Sequence, residues 1–205
     1  MIMIKNIIFD LGNVLINFKP ELFLLNFTED QKKITAFVNK VPRSKIWFDL
    51  DRGKFSVNKA YEIFLKKYPE NKELLEKFFE DNRWMEMLNP ITQNVEIVKL
   101  LKREGYNLYI LSSFIKEAFD YIESRYNFLS IFDGRVISYQ EGVIKPEEEI
   151  YRILLKRYNL KPEECLFIDD HKIILEPAKE LGMKVIHYQD SKDLREELIK
   201  FSIKI

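Results

Sequence analysis

Several polar residues of this chain follow short apolar segments, and their side chains could together bind and attack an anion. Asp10 comes directly after the apolar segment 4–9 and is followed by a turn signal at Gly12 and Asn13. A carboxylate placed there could act as a nucleophile or as a metal ligand. It could equally be a strand-terminal aspartate that hydrogen-bonds a turn, so this residue alone leaves both interpretations open.

A pair of hydroxyl groups follows a second apolar segment. Ser112 and Ser113 come directly after the sequence LYIL at residues 108–111. Hydroxyls and free backbone N–H groups at the start of a helix could hold a phosphate oxygen. The alternative is an ordinary helix N-cap, a position that serine also favours.

A lysine and two adjacent aspartates complete the set. Lys145 precedes Pro146 and a helical pattern, where the helix macrodipole disfavours a positive charge, so it needs another reason to be there, such as pairing with an anion. A solvated surface lysine is the alternative. Asp169 and Asp170 follow the apolar segment CLFI. Their carboxylates repel one another unless a cation or hydrogen bonds compensate, and hard oxygen donors suit Mg²⁺. A capping aspartate with an exposed neighbour is the alternative.

The first apolar segment, at 4–10, has the near-continuous, β-branched character of a strand buried on both faces, and the others are short apolar strand patterns. After Pro90 they alternate with helical patterns, which indicates βα units, a parallel sheet and an α/β, Rossmann-like fold. We predict strands at 4–10, 108–111, 135–138, 165–168 and 184–187, with helices at 92–104, 115–126, 147–158, 175–181 and 191–201. Because open α/β sheets bind ligands at the carboxyl ends of their strands, the polar residues above are expected to share one edge.

The stretch between residues 16 and 88 has no strand pattern. Helical patterns are predicted there at 20–27, 29–40, 44–50, 56–67 and 71–82. We therefore predict an α/β core formed by residues 1–15 and 89–205, and an all-helical insertion of residues 16–88 after the first strand. This segment is called the helical insertion below.

Composition and charge limit the classes of partner. The chain has 205 residues with 46% hydrophobic residues, enough for a substantial core. Its 33 basic and 33 acidic residues give a net charge of zero, which argues against non-specific nucleic-acid binding. One cysteine, Cys165, fits a reducing compartment, and neither a signal peptide nor a membrane span is apparent. We expect a soluble cytoplasmic protein whose partner is a small molecule, without nucleic acid or membrane.

The ordered set of polar positions resembles the four motifs of the haloacid dehalogenase superfamily across essentially the whole chain. Asp10 in IIFDLGNVL resembles the first motif, and Ser112 in LYILSSF the second. Lys145 in EGVIKPEEEIY resembles the third, and the two aspartates of CLFIDDHKIILEPAKELGM resemble the fourth. The helical insertion is similar to the small cap domain of one subgroup. Within it, WFDLDRGKFS resembles a segment of the relatives of glucose-1-phosphate phosphatase.

The resemblance implies a Mg²⁺-dependent phosphatase that acts on a small phosphorylated metabolite, such as a sugar phosphate. Asp10 would attack the phosphorus and form an aspartyl-phosphate, which water then hydrolyses. Ser112, Ser113 and Lys145 would bind the phosphoryl group. Aromatic residues of the helical insertion are more often core than substrate contacts, and Trp47 is the one expected to face the cleft. The helical insertion would close over the site and exclude water.

The resemblance also implies a set of metal ligands. Mg²⁺ would be held by Asp10, by a backbone carbonyl near Gly12 and by Asp170. Asp169 would bind the ion directly or support its ligands.

Some positions depart from the family pattern. Gly12 stands where most phosphatases of the superfamily carry a second aspartate that acts as general acid and base, although the subgroup resembled here also has glycine there. Proton transfer contributes about 10²–10⁴-fold, so the glycine implies a slow enzyme or a replacement base. His171 is one candidate base, with an exposed loop histidine as the alternative, and His187 is expected to be structural. Ser113 and Ile174 replace amide side chains common in the family.

Two other functions stay open on the sequence alone. A haloalkanoate dehalogenase also uses an aspartate nucleophile without the second aspartate, but it needs no metal, so the adjacent aspartates would be unexplained. A non-catalytic phosphate-binding or partner-binding protein would account for Gly12, Ser113 and Ile174. The presence of Asp10 and Lys145 favours the enzyme.

Overall fold

The computed structural model describes residues 3–205, and its centre is one sheet of five parallel strands. The strands lie in the order β3-β2-β1-β4-β5, so the first strand of the chain is the central one. Their bounds are β1 Asn6–Phe9, β2 Asn107–Ser112, β3 Gly134–Ile137, β4 Cys165–Asp169 and β5 Lys184–His187. This architecture confirms the predicted α/β fold. Residues 1 and 2, which the predicted core segment includes, lie outside the described residues.

The helical insertion contains helices but no strand, within the part of the chain that the structure describes. Its α-helices are α1 Pro20–Leu24, α2 Gln31–Lys40, α3 Lys45–Asp51, α4 Val57–Lys67 and α5 Lys72–Phe79. Short 3₁₀ helices lie between α4 and α5, at Pro69–Asn71, and after α5, at Glu80–Met87. Side-chain caps explain three of the starts, because Asp30, Ser44 and Ser56 each accept a hydrogen bond from a backbone N–H of the first helical turn.

The remaining helices cover both faces of the sheet. They are α6 Thr92–Arg103, α7 Lys116–Arg125, α8 Ser138–Glu141, α9 Glu148–Arg157, α10 Lys172–Glu180 and α11 Leu194–Ile199. Alternate residues of β1 point to opposite faces: Ile7 and Phe9 pack with the cluster that includes α6 and α11, and Ile8 packs with α9 and α10. Covering both faces in this way is what an all-parallel sheet requires.

The two connections between the helical insertion and the core are paired with each other. The backbone N–H of Asn17 donates to the carbonyl of Asn89 at 2.8 Å, and that of Ile91 donates to Leu15 at 2.8 Å. Ile16 also forms an antiparallel bridge with Pro90. The chain therefore leaves and re-enters the core at one place, directly beyond β1.

Four helix boundaries differ by three residues from the sequence-based prediction: α1 ends at Leu24 rather than residue 27, α11 begins at Leu194 rather than residue 191, and the end of α5 and the start of α10 also differ. The helix predicted at 71–82 ends at Phe79, because Asp81 and Asn82 adopt left-handed backbone conformations with φ of 48° and 57°, which these two residue types tolerate. Helix α10 starts three residues before the predicted start, directly after His171, whose backbone N–H donates to the carboxylate of Asp169 at 2.9 Å. Within residues 3–205, none of the helices combines the length and the apolar character needed to cross a membrane.

Candidate active site

The central position of β1 brings three of the predicted site residues together. Strand β1 lies between β2 and β4, with Phe9 in register with Ile110 on one side and Ile168 on the other. The next residue, Asp10, therefore lies beside the carboxyl ends of both neighbouring strands. Its backbone N–H donates to the carbonyl of Ile168 at 2.9 Å, so the backbone of Asp10 is still fixed to β4.

Asp10 is held by a hydroxyl and by a lysine. Ser112 Oγ donates to Asp10 Oδ1 at 2.7 Å, and Lys145 Nζ lies 2.8 Å from the same oxygen. Within residues 3–205, Asp10 Oδ2 has no hydrogen-bond partner. One oxygen of the carboxylate is thus fixed by two donors, and the other is free to attack a substrate or to bind a metal.

Lys145 also contacts a second carboxylate. Its Nζ lies 2.6 Å from Asp169 Oδ2, and its side chain is only 1% exposed. Burial by itself would lower the pKa of Lys145, but the carboxylates of Asp10 and Asp169 outweigh it, so the pKa is raised above its ordinary value. Lys145 therefore keeps its positive charge at neutral pH.

The two predicted phosphate-binding serines have different surroundings. Ser112 is fully buried and its hydroxyl points at Asp10, whereas Ser113 lines the cleft described below. Ser113 Oγ accepts a hydrogen bond from the backbone N–H of Lys145 at 3.0 Å. Ser113 thereby holds the loop that carries the lysine.

The adjacent aspartates occupy different environments. Asp169 is fully buried, and its two oxygens accept from Lys145 and from the backbone of His171. Asp170 lines the cleft together with Asp10 and Gly12. Its carboxylate contacts Asn13 Nδ2 at 3.3 Å and His171 Nδ1 at 2.7 Å, and this contact with Asp170 raises the pKa of His171. Asp170 is therefore the member of the pair that is accessible to a ligand.

A cleft of about 970 Å³ lies between the helical insertion and the carboxyl edge of the sheet. Its walls are mostly aromatic and aliphatic side chains, which include Phe18, Val38, Trp47, Phe48, Trp84, Leu88, Phe114, Ile115 and Ile144. The predicted cleft residue Trp47 does line it. That side chain is nevertheless only 4% exposed, because its ring packs against Trp84 with a centroid distance of 5.4 Å. Trp47 is both a wall of the cleft and part of the core.

Both histidines also line this cleft. The ring of His171 is largely exposed and paired with Asp170. His187, which ends β5, has its Nε2 3.0 Å from the backbone carbonyl of Asp170. It thus supports the loop that carries this aspartate, in line with a structural role.

Sequence analysis missed Asp51, the last residue of α3. This carboxyl lines the cleft and is only 8% exposed. Burial, together with the nearby carboxylate of Asp10, raises the pKa of Asp51 to about 8, although Lys145 acts in the opposite direction. A signal was available, because Asp51 comes four residues after Trp47 and so lies on the same helical face.

Comparison with known proteins gives the family context. A family model described as haloacid dehalogenase-like hydrolase matches residues 4–182. A sesquiterpene phosphatase from Aspergillus oryzae is 25% identical over 188 residues, which are 91% of this chain and 91% of that protein. A D-ribitol-5-phosphate phosphatase from Bacteroides thetaiotaomicron is 26% identical over 217 residues, which cover 96% of this chain and 97% of that protein.

The structural comparison points the same way. The crystal structure of a haloacid dehalogenase (HAD) family enzyme from Bacteroides thetaiotaomicron in complex with magnesium superposes on this chain with a TM-score of 0.73 at 26% identity. Its complex with magnesium and inorganic phosphate also gives a TM-score of 0.73, at 23% identity. Both comparisons cover 95% of this chain and 98% of that chain. The similarity therefore extends over the core and the helical insertion alike.

Proposed function

This chain belongs to the haloacid dehalogenase-like hydrolases, and we propose that it is a Mg²⁺-dependent phosphatase in which Asp10 attacks a small phosphate ester. The observation that carries the proposal is the shared contact of Lys145 with Asp10 and Asp169, beside the hydroxyl of Ser112. This arrangement presents a carboxylate nucleophile next to a permanent positive charge. Two relatives that match more than 90% of the chain are phosphatases, which supports the same reaction.

The chain's own groups divide the work of phosphoryl transfer. The carboxylate of Asp10 forms the bond to phosphorus, and water then breaks the resulting acyl phosphate. Lys145 offsets the negative charge of the incoming phosphate, which Asp10 alone would repel. Ser112 and Ser113 orient Asp10 and the lysine loop, and bind phosphoryl oxygens once a substrate is present.

The residues that would hold Mg²⁺ are Asp10, Asp170 and the backbone carbonyl at Gly12. They fit the ion because they are oxygen donors grouped on one side of the cleft, and Asp170 contacts no lysine or arginine among residues 3–205. When bound, Mg²⁺ supplies further positive charge to neutralise the phosphoryl group. Asp169 supports the site indirectly, because its oxygens already bind Lys145 and His171.

The helical insertion of residues 16–88 is proposed to be a cap domain that selects the substrate. Its side chains Phe18, Trp47 and Trp84 form the wall of the cleft opposite the sheet. The indole Nε1 of Trp84 is buried without a hydrogen-bond partner among the described residues. A phosphorylated metabolite whose organic part has apolar faces, such as a sugar phosphate or a more apolar ester, suits this wall.

The function is tested by hydrolysis of p-nitrophenyl phosphate with and without Mg²⁺, comparing wild type with Asp10→Asn. A matched control is Glu176→Gln, which removes an exposed carboxylate on α10. We expect Mg²⁺-dependent turnover that Asp10→Asn abolishes and Glu176→Gln retains. A panel of sugar phosphates, polyol phosphates and isoprenyl phosphates then defines the substrate class.

The same assay distinguishes the alternatives. A folded protein that binds Mg²⁺ but hydrolyses no member of the panel contradicts the phosphatase and favours a non-catalytic binding protein. Release of halide from 2-chloropropionate without metal would favour a dehalogenase.

A further inference from the structure

We propose that Asp51 of the helical insertion is a further catalytic residue, whose carboxyl group protonates the leaving-group oxygen and then deprotonates the attacking water. This inference rests on the proposed phosphatase function. It supplies the acid and base that the chain lacks at position 12, where Gly12 has no side chain to exchange a proton.

Asp51 differs from every other carboxylate that lines the cleft. Within residues 3–205 its side chain has neither a hydrogen bond nor an ion pair, whereas Asp10 and Asp170 both have hydrogen-bond partners. The two other carboxylates of the cleft form ion pairs, Glu21 with Arg43 and Asp190 with Lys19. The side chain of Asp51 is only 8% exposed, but its carboxyl oxygens are not sealed off from the cleft, so a substrate bound there can provide the contact that the protein does not.

Three contacts hold the segment that carries Asp51 against the core. The backbone carbonyl of Asp51 accepts a hydrogen bond from Ser138 Oγ at 2.6 Å. The next residue, Arg52, forms a bidentate ion pair with Glu147, in which Nη1 lies 2.7 Å from Oε2. Gly53 packs so closely on the backbone of Tyr139 that an added Cβ would lie 2.6 Å from the Tyr139 carbonyl oxygen. The carboxyl group is thus positioned by its backbone, without using its own oxygens.

These contacts also connect Asp51 to the loops that carry the reacting groups. Ser138 Oγ, which donates to Asp51, accepts the backbone N–H of Phe114 at 2.9 Å, two residues after Ser112. Glu147, which binds Arg52, lies two residues after Lys145. A shift of either loop would therefore move Asp51 together with the phosphate-binding residues.

The electrostatic surroundings favour proton exchange. Burial is the main cause that raises the pKa of Asp51, and the charge of Asp10 raises it further, whereas Lys145 lowers it. The carboxyl group therefore carries its proton around neutral pH, unlike an ordinary aspartate. An acid that gives up its proton near the working pH is the most effective kind.

Asp51 gives up a proton in the first chemical step and takes one back in the second. As Asp10 forms its bond to phosphorus, the bond from phosphorus to the leaving oxygen breaks, and that oxygen takes the proton of Asp51. The product alcohol departs and Asp51 is left as a carboxylate. Water then attacks phosphorus and gives a proton to Asp51, while the bond to Asp10 breaks. Inorganic phosphate leaves, and both aspartates return to their starting forms.

The test compares Asp51→Asn with the control Asp49→Asn on two substrates. Asp49 is on the same helix but pairs with Lys45 and Lys54 at the surface. We expect Asp51→Asn to lose about 10²–10⁴-fold in kcat on phenyl phosphate, whose phenolate needs a proton to leave. Nitrophenolate leaves without being protonated, so Asp51→Asn should still release it rapidly from p-nitrophenyl phosphate in the first turnover. Hydrolysis of the aspartyl-phosphate should be slow in this variant, because no base deprotonates the water. The variant should therefore show a burst of one nitrophenolate per enzyme.

Further measurements separate the possible outcomes. Asp51→Glu should recover part of the lost rate on phenyl phosphate, because it restores a carboxyl group. Equal losses on both substrates without a burst, or unchanged rates on both, would overturn the role of Asp51 while leaving the phosphatase intact. Absence of turnover in the wild type would instead refute the phosphatase itself and this inference with it. Calorimetric Mg²⁺ binding by Asp51→Asn should match the wild type.

Discussion

Lys145 and Asp169 form an ion pair that is closed to water, with Nζ 2.6 Å from Oδ2 and side-chain exposures of 1% and 0%. Such a pair adds little stability compared with well-packed apolar residues, because both charges lose their hydration. Removing one partner is costly, since it leaves the other charge buried and uncompensated. The pair is therefore better explained by the positive charge that it fixes beside Asp10 than by stability.

Replacing Lys145 tests this coupling of charge and stability. In Lys145→Met, both Asp10 and Asp169 lose their cation, so we expect a loss of about 3–5 kcal/mol in the free energy of unfolding and no turnover. Urea unfolding measures the first and phosphatase assays the second. Lys179→Met, which breaks an exposed ion pair with Glu176, should change neither the free energy of unfolding nor the turnover. Similar stabilities for the two variants would contradict the account.

The raised pKa of Asp51 predicts a pH dependence of stability. Its pKa is about 8 in the folded protein and about 3.9 in the unfolded chain, so the folded state binds more protons between these values. Stability should therefore fall as pH rises through this window, by up to about 1.4 kcal/mol per pH unit. In EDTA, the unfolding free energy of wild type should decrease relative to Asp51→Asn from about pH 5 to about pH 8.

The control for this titration is Asp49→Asn. Lys45 and Lys54 lower the pKa of Asp49, so its folded and unfolded forms are both ionised throughout that pH range. The difference between Asp49→Asn and wild type should stay constant there. A constant difference for Asp51→Asn as well would show that Asp51 is ionised in the folded protein.

The contact of Gly53 with Tyr139 predicts a selective glycine effect. Gly53 and Gly105 both have positive φ, 70° and 88°, so alanine strains each backbone by about 1–2 kcal/mol. Only Gly53→Ala adds a clash with backbone, because nothing lies within 4 Å of the Cβ position at Gly105. Gly53→Ala should lose more stability and should also lower kcat by displacing Asp51. Equal kcat values for the two variants would argue against a positioning role for this contact.

The different surroundings of the adjacent aspartates predict different effects on metal binding. Asp170→Asn should weaken Mg²⁺ binding at least about tenfold in calorimetry, and turnover should recover partly at high Mg²⁺. Asp190→Asn is the matched control, because Asp190 also lines the cleft but pairs with Lys19. Equal Mg²⁺ affinity in Asp170→Asn and wild type would remove Asp170 from the metal site.

Much of the fold followed from local sequence pattern. The strands coincide with short apolar segments, and their alternation with helices indicated a parallel sheet. Boundaries failed where local backbone features coincide with them: Asp169 accepts the backbone N–H of His171 directly before α10, and α5 ends before the left-handed Asp81. Neither feature has a signature in composition or periodicity.

The site was predictable where chemistry coincides with a strand end. Asp10, Ser112 and Asp169 follow apolar segments, so their convergence could be expected from topology alone. Asp51 ends a helix instead, and the sequence does not say how the helical insertion packs on the core. Its neighbours Arg52 and Gly53 fall between the helices predicted at 44–50 and 56–67, and in the structure they attach this segment to the core.

The central claim is that Asp10 becomes phosphorylated during turnover, and trapping that intermediate tests it most directly. The enzyme is mixed with p-nitrophenyl phosphate and Mg²⁺, quenched within the first turnovers and treated with borohydride, which reduces an aspartyl-phosphate to homoserine. Peptide mass spectrometry should then find homoserine at position 10, and Asp10→Asn should give none. Steady turnover by wild type with unmodified Asp10, or with the label on another residue, would contradict the account.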